Sequence, residues 1–340
     1  MSLVVHNDRR SSLQNRKLSA LRLSNSRRTP IYTVKFNDNA SLIASAGDDH
    51  DITIWNTDSI VPGDFSADFT NGTPVDYHYL PSVHKSAITY LAWSNVSPSL
   101  RLFTASADST AALLDLSKAQ KIKTFKHSGS VNQLAVSKRD LLVTCSDDGS
   151  VKLWDIRSKF PTAQISTKYP VLTCCVDYDE QGIFFSGIDP TIHCYDPRNM
   201  DKPLWEEMSQ SNNVTSLSLC PDSSEYLVSK SIDGSIKYFD SRFIALSSVH
   251  SRAKPYIFDG SEASPEDWLI RSLLVKDGQG ALRVISGSND GCVYLWDFAS
   301  RKLVARLDGH IGSSFDVDYN QKSARLVSCS QDGSLILRDF

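Results

Sequence analysis

One frame, repeated seven times, constrains this chain more than any other feature. In the stretch from Thr144 to Asp155, Leu141–Thr144 is an apolar, β-prone run, Asp148-Gly149 is a turn signal, and Val151, Leu153 and Trp154 begin a second β-prone run. Glycine accepts positive φ in such a turn, and aspartate bonds the turn backbone. The frame places an Asp six residues before an aromatic, and it recurs at Asp49/Trp55, Asp189/Tyr195, Asp233/Phe239 and Asp290/Trp296. Two more copies keep the Asp and change the aromatic, at Asp108/Leu114 and Asp332/Arg338. Successive turn aspartates lie 59, 40, 41, 44, 57 and 42 residues apart.

A period near 40–45 residues with an Asp…Trp-Asp ending resembles the WD40 family, whose repeats fold as four-stranded blades around a central channel. The resemblance covers residues 18–340 and predicts an all-β, seven-bladed propeller that takes up nearly the whole chain. The blades fall at 31–56, 87–115, 131–155, 171–196, 214–240, 269–297 and 315–340. Two connections exceed the period, at 57–83 and 243–268. The chain reaches Phe340 straight after the third strand of the seventh blade, which would leave that blade an open edge. In propellers of this type an N-terminal segment supplies the missing strand, and Leu18–Ser24 is the segment that fits.

Charge separates the first residues from the rest. Residues 1–30 hold seven Lys and Arg against Asp8 alone, so a chain of net charge −3 carries +6 there and −9 elsewhere. Residues 1–17 are read as a basic, disordered tail. Such a tail supports several readings: a solvated arm, a nuclear targeting signal, or a contact with RNA or an acidic partner. The acidic body limits RNA binding. No apolar run approaches the ~18 residues that span a bilayer, so no membrane association is expected. The seven cysteines include no Cys-x-x-Cys pair and read as reduced, buried thiols.

The residues that invite a catalytic reading repeat on a structural period. In this fold a loop His, a second-strand Ser or Thr, the turn Asp and the third-strand Trp form a hydrogen-bonded chain. The third blade has the full set: His127, Thr144, Asp148 and Trp154. The second has His84, Thr104 and Asp108 with Leu114, and the seventh has His310, Ser328 and Asp332 with Arg338. No Gly-x-Ser-x-Gly elbow, Walker loop, dinucleotide fingerprint or metal-ligand spacing accompanies them. No enzymatic activity, cofactor or metal is expected.

The candidate contact residues lie elsewhere. Three blades end in Asp-x-Arg, offering Arg157, Arg198 and Arg242, and similar endings occur in WD40 substrate receptors of cullin-RING ubiquitin ligases. In the second long connection, Ile257, Phe258 and Trp268 stand beside the acidic residues Glu262, Glu266 and Asp267, an apolar anchor rimmed by charge.

A narrower resemblance rests on Thr144–Arg157, on Val171-Leu172-Thr173 followed by Phe185–Asp189, and on Asp240–Phe243 with Ile257-Phe258 and Leu269–Leu273. Together they look like the WD40 subunits of the U5 small nuclear ribonucleoprotein. That resemblance implies a non-catalytic scaffold acting in pre-mRNA splicing in the nucleus. It also implies a monomeric subunit set against the large central splicing protein, near the particle's GTPase and helicase. The rival reading from the Asp-x-Arg endings is a ubiquitin-ligase substrate receptor.

Overall fold

The computed structural model describes residues 20–24, 29–60, 76–96, 100–177, 179–208, 210–221, 223–241, 256–258 and 268–339. These form seven four-stranded antiparallel sheets, and the blades run 31–80, 88–126, 131–166, 171–208, 214–258, 272–307 and 314–339. Strands within a blade are termed a to d from the channel outward. The b strands lie between two neighbouring blades, so Leu142–Ser146 and Ile183–Gly187 are buried at every position. Outer strands such as Gln120–Lys126 expose most of their residues.

Seven apolar clusters fill the spaces between adjacent blades. Blades 2 and 3, for example, share Phe103, Phe125, Leu134 and Trp154. Another cluster joins blade 7 to blade 1 through Leu335, Leu337, Val34 and Trp55, which closes the ring. The a strands carry a second fastening. Most a–b pairs skip one residue near the start of strand a, and the skipped side chain turns toward the next blade. Thr89 Oγ1 donates to Val131 O, Asn132 Nδ2 to Val171 O, and Thr215 Oγ1 to Ile270 O.

The ring closes with an N-terminal strand. Ala20–Ser24 pairs antiparallel with Ser334–Asp339, in a register from Ala20 opposite Arg338 to Ser24 opposite Ser334. Leu21 and Leu23 are buried by the pairing, and Arg22 Nη2 lies 2.8 Å from Asp332 Oδ2. The tail at 1–17 and residues 18–19 lie outside the described residues.

Both long connections contribute a blade's outer strand. In 57–83 this is Tyr77–Leu80, paired with Ile52–Trp55. In 243–268 it is Tyr256–Phe258, paired with Ile236–Tyr238. Although the second stretch exceeds the period, it is not surplus to its blade, because it supplies the outer strand of blade 5. Phe258 is 1 % exposed and packs among Tyr238, Trp296 and Phe298. It is an interior residue rather than a surface contact. The acidic residues Glu262, Glu266 and Asp267 lie outside the described residues.

Candidate interaction sites

All seven turn aspartates do the same local work. Asp49, Asp108, Asp148, Asp189, Asp233, Asp290 and Asp332 each accept from the backbone N–H two residues on. Gly149 occupies the third blade's turn at φ 74, and a Cβ there would come within 2.8 Å of Thr167 O.

In blade 3 the polar chain is complete. Trp154 Nε1 donates to Thr144 Oγ1 at 2.8 Å, and Thr144 Oγ1 lies 2.7 Å from His127 Nε2. His127 Nδ1 is 3.0 Å from Ser150 Oγ, which donates to Asp148 Oδ1 at 2.5 Å. Ser150 thus links the imidazole to the carboxylate, a role the sequence reading did not give it. Burial, with Lys152 adding and Asp148 opposing, pushes the His127 imidazole down to about 4. Burial works against ionisation of Asp148, but bonds from Ser150 and the Ser128 N–H hold its carboxyl well below the usual range. The side chain of His127 has no exposed surface and both ring nitrogens are engaged, so it has no route to an external substrate.

Other blades fill the same positions with different chemistry. In blade 7, His310 bonds Ser328 and Ser334, and Arg338 stands where blade 3 has Trp. The Arg338 guanidinium is 2 % exposed and donates from Nη1 to Ser328 Oγ at 3.2 Å and from Nη2 to Asp308 O at 2.7 Å. Blade 2 keeps His84 between Thr104 and Asp108, at 2.7 and 3.0 Å, with Leu114 supplying only bulk. In blade 5, Gln210 takes the histidine's part: its Nε2 donates to Ser229 Oγ and its Oε1 accepts from Ser235 Oγ. In blade 6, Lys230 reaches across from blade 5 and donates to Ser286 Oγ at 2.6 Å. Burial pushes that lysine down to about 7, with Asp290 opposing. Blade 1 retains Trp55 Nε1 donating to Ser45 Oγ. Blade 4 has Phe185 where the others have a hydroxyl, ten residues before Tyr195.

The channel holds a cavity of about 470 Å³, lined by strand a of every blade. Lys35 Nζ bonds Asp316 at 2.8 and 3.0 Å. Burial pushes the nearby Asp318 carboxyl up to about 6. Arg271 crosses from blade 6, donating to Tyr32 O of blade 1 and Thr89 O of blade 2, both at 2.9 Å. The expected contact Trp268 is half-buried and packs on Phe315 and Tyr32, with ring centroids 5.2 and 6.5 Å away.

The Asp-x-Arg endings are local turns. The Arg157 side chain is 90 % exposed and folds back in a two-pronged bond to Asp155 at 3.1 and 3.2 Å. Arg198 pairs loosely with Asp196 at 3.8 Å and donates to Gln181. Arg242 lies outside the described residues. Ile257 is 48 % exposed. No cluster of His, Cys, Asp and Glu among the described residues could hold a metal ion, and all seven cysteines are free thiols.

Comparison with known proteins agrees with this architecture. The family model for the WD domain, G-beta repeat, matches residues 20–56, 119–155, 264–297 and 301–339. The chain is 31 % identical to the U5 small nuclear ribonucleoprotein 40 kDa protein of Dictyostelium discoideum, over 91 % of this chain and 81 % of that one. It is 32 % identical to the pre-mRNA-splicing factor cwf17 of Schizosaccharomyces pombe, over 91 % and 84 %. Identity to the human U5 small nuclear ribonucleoprotein 40 kDa protein is also 32 %, over 91 % and 81 %. The matches to these three proteins extend over 91 % of the chain rather than over one generic repeat. The chain therefore belongs to the WD40-repeat family and, within it, to the family of the U5 small nuclear ribonucleoprotein 40 kDa proteins.

Proposed function

We propose that this protein is a non-catalytic scaffold of the U5 particle, acting in pre-mRNA splicing in the nucleus. The observation that carries the reading is identity to three splicing proteins along 91 % of the chain. The physical picture supports it. The His, Ser and Asp sets are interior fasteners with no exposed nucleophile, so loops and rim are the surface on offer. The partner would be the large central splicing protein, near the GTPase and helicase of the same particle. The −9 charge outside residues 1–30 favours protein over RNA as the principal contact. Exposed Arg157 and Arg198 keep one rival in view, a substrate receptor of a cullin-RING ubiquitin ligase.

One experiment separates the two. The tagged protein is recovered from nuclear extract and its companions are identified by mass spectrometry. U5 proteins at near-stoichiometric amounts support the scaffold reading. A ligase adaptor and cullin in their place overturn it.

A further inference from the structure

Blade 4 differs from its neighbours in a way that leaves room. In blade 3, His127 stands 21 residues before the turn aspartate and its ring fills the space between loop, strand b and strand c. The residue 21 before Asp189 is Lys168, which is exposed, with its Nζ 5.3 Å from the ring of Tyr169. With no imidazole there and Phe185 in place of the hydroxyl, a cavity of about 310 Å³ opens beside the interface with blade 3. That is the low end of the range for small-molecule sites, and it suits one long side chain.

The walls define what fits. The wall is a stack of rings: Phe185 lies parallel to His193, with centroids 5.0 Å apart, and to Tyr195 at 5.6 Å. Two carboxylates also line the cavity, together with Lys168, whose ammonium lies over the Tyr169 ring. Asp189 gives one oxygen to Thr191 N, and Glu206 gives one to His193 Nδ1 at 2.8 Å. The turn carboxylates of blades 2, 3 and 7 also take a loop N–H, from Lys85, Ser128 and Ile311. Among the described residues the Asp189 carboxylate has no such partner in its loop, although the backbone contact common to these blades is kept, as Ile188 N to Pro170 O. A flat cation answers both features, because a guanidinium stacks on aromatic faces and pairs with carboxylates through its N–H fork. An anion would meet two carboxylates against the one Lys168 ammonium, and a purely apolar group would bury the carboxylates unpaired. On the neighbouring loops Tyr169 and Ile188 are 44 % and 41 % exposed, an apolar margin suited to a protein rather than a free small molecule.

We propose that this cavity is a docking site for an arginine side chain presented by a protein partner, with Glu206 and Asp189 as the charge contacts and the His193 and Tyr195 rings, backed by buried Phe185, as the platform. The site stands independently of which complex the protein joins.

The test uses the full chain with 13C-labelled histidines and N-acetyl-arginine-N-methylamide as the probe. The His193 resonance is assigned by its loss in His193→Gln. The expected result is a saturable displacement of that resonance, at least about tenfold weaker in Glu206→Gln and for the neutral citrulline analogue, as loss of a charge-assisted pair requires. The thermal melt of Glu206→Gln should match the parent. Three outcomes overturn the proposal: no saturable shift, equal binding of the citrulline or lysine analogue, or unchanged affinity in a well-folded Glu206→Gln.

Discussion

The buried histidine of blade 3 makes a quantitative prediction about acid stability. In the unfolded chain His127 takes up a proton with a pKa of about 6.5. In the folded chain burial holds it near 4. Between those values the unfolded state binds more protons, so stability is fully present above about pH 6.5 and declines as pH falls toward 4. Integrating the linkage for this one residue gives a loss of about 1.4 kcal/mol by pH 5.5 and about 2.5 kcal/mol by pH 4.5. Burial lowers His84 and His310 in the same direction, so the whole chain should lose more. Against a typical total stability of about 5–15 kcal/mol these losses are readily measured. The assay is urea unfolding at pH 7.5, 6.5, 5.5 and 4.5, comparing parent with His127→Gln. Glutamine is chosen because Gln210 already makes the equivalent bonds in blade 5. The variant should start less stable at pH 7.5 yet lose about 1.4 kcal/mol less than the parent on going to pH 5.5. An equally steep decline in both proteins would refute the buried, neutral imidazole.

Three further outcomes are expected. Arg338→Trp restores an indole donor to Ser328 in similar volume and should cost no more than about 1.5 kcal/mol, whereas Arg338→Ala should cost about 3 kcal/mol or more; equal denaturant midpoints for the two would remove the donor argument. Asp148→Ala should cost roughly 1–3 kcal/mol and Trp154→Ala roughly 3–5 kcal/mol; an Asp108→Ala variant clearly worse than Asp148→Ala would undo the case for a complete chain in blade 3. Deleting residues 1–17 should leave melting unchanged, while deleting 1–24 should bare the edge of Ser334–Asp339 and promote aggregation, both read by light scattering during a melt.

The architecture was legible because its signal is redundant. Seven copies of a turn aspartate, each needed to bond the N–H two residues on, survive the loss of an aromatic at Leu114 or Arg338. The closing strand was legible from the open edge it has to cover. The substitutes were not legible. Gln210, Lys230 and Arg338 share no residue type with the histidine or tryptophan they replace, and Lys230 comes from a different blade than the serine it serves. What is retained is a donor or acceptor at a point in space, and sequence spacing records only the residues that share a strand. Phe258 was misread for a related reason. The long connection hid a three-residue outer strand, and a buried ring next to half-exposed Ile257 looks, in sequence, like a surface pair. The blade 4 cavity is invisible without its neighbours, since it exists only by contrast with the imidazole-filled blades.

The pairing of Ala20–Ser24 with Ser334–Asp339 also sets an order of events during synthesis. The strand that closes the ring leaves the ribosome before all seven blades' other strands, and the strand it must join follows the first six blades. At about 5–20 residues per second, roughly 15 to 60 seconds separate the two. Throughout that interval Leu21 and Leu23 lack the blade 7 half of their cluster, Leu335 and Leu337, and six blades can assemble only as an open arc with two bare ends. Closure of the ring therefore has to wait for the seventh blade's third strand.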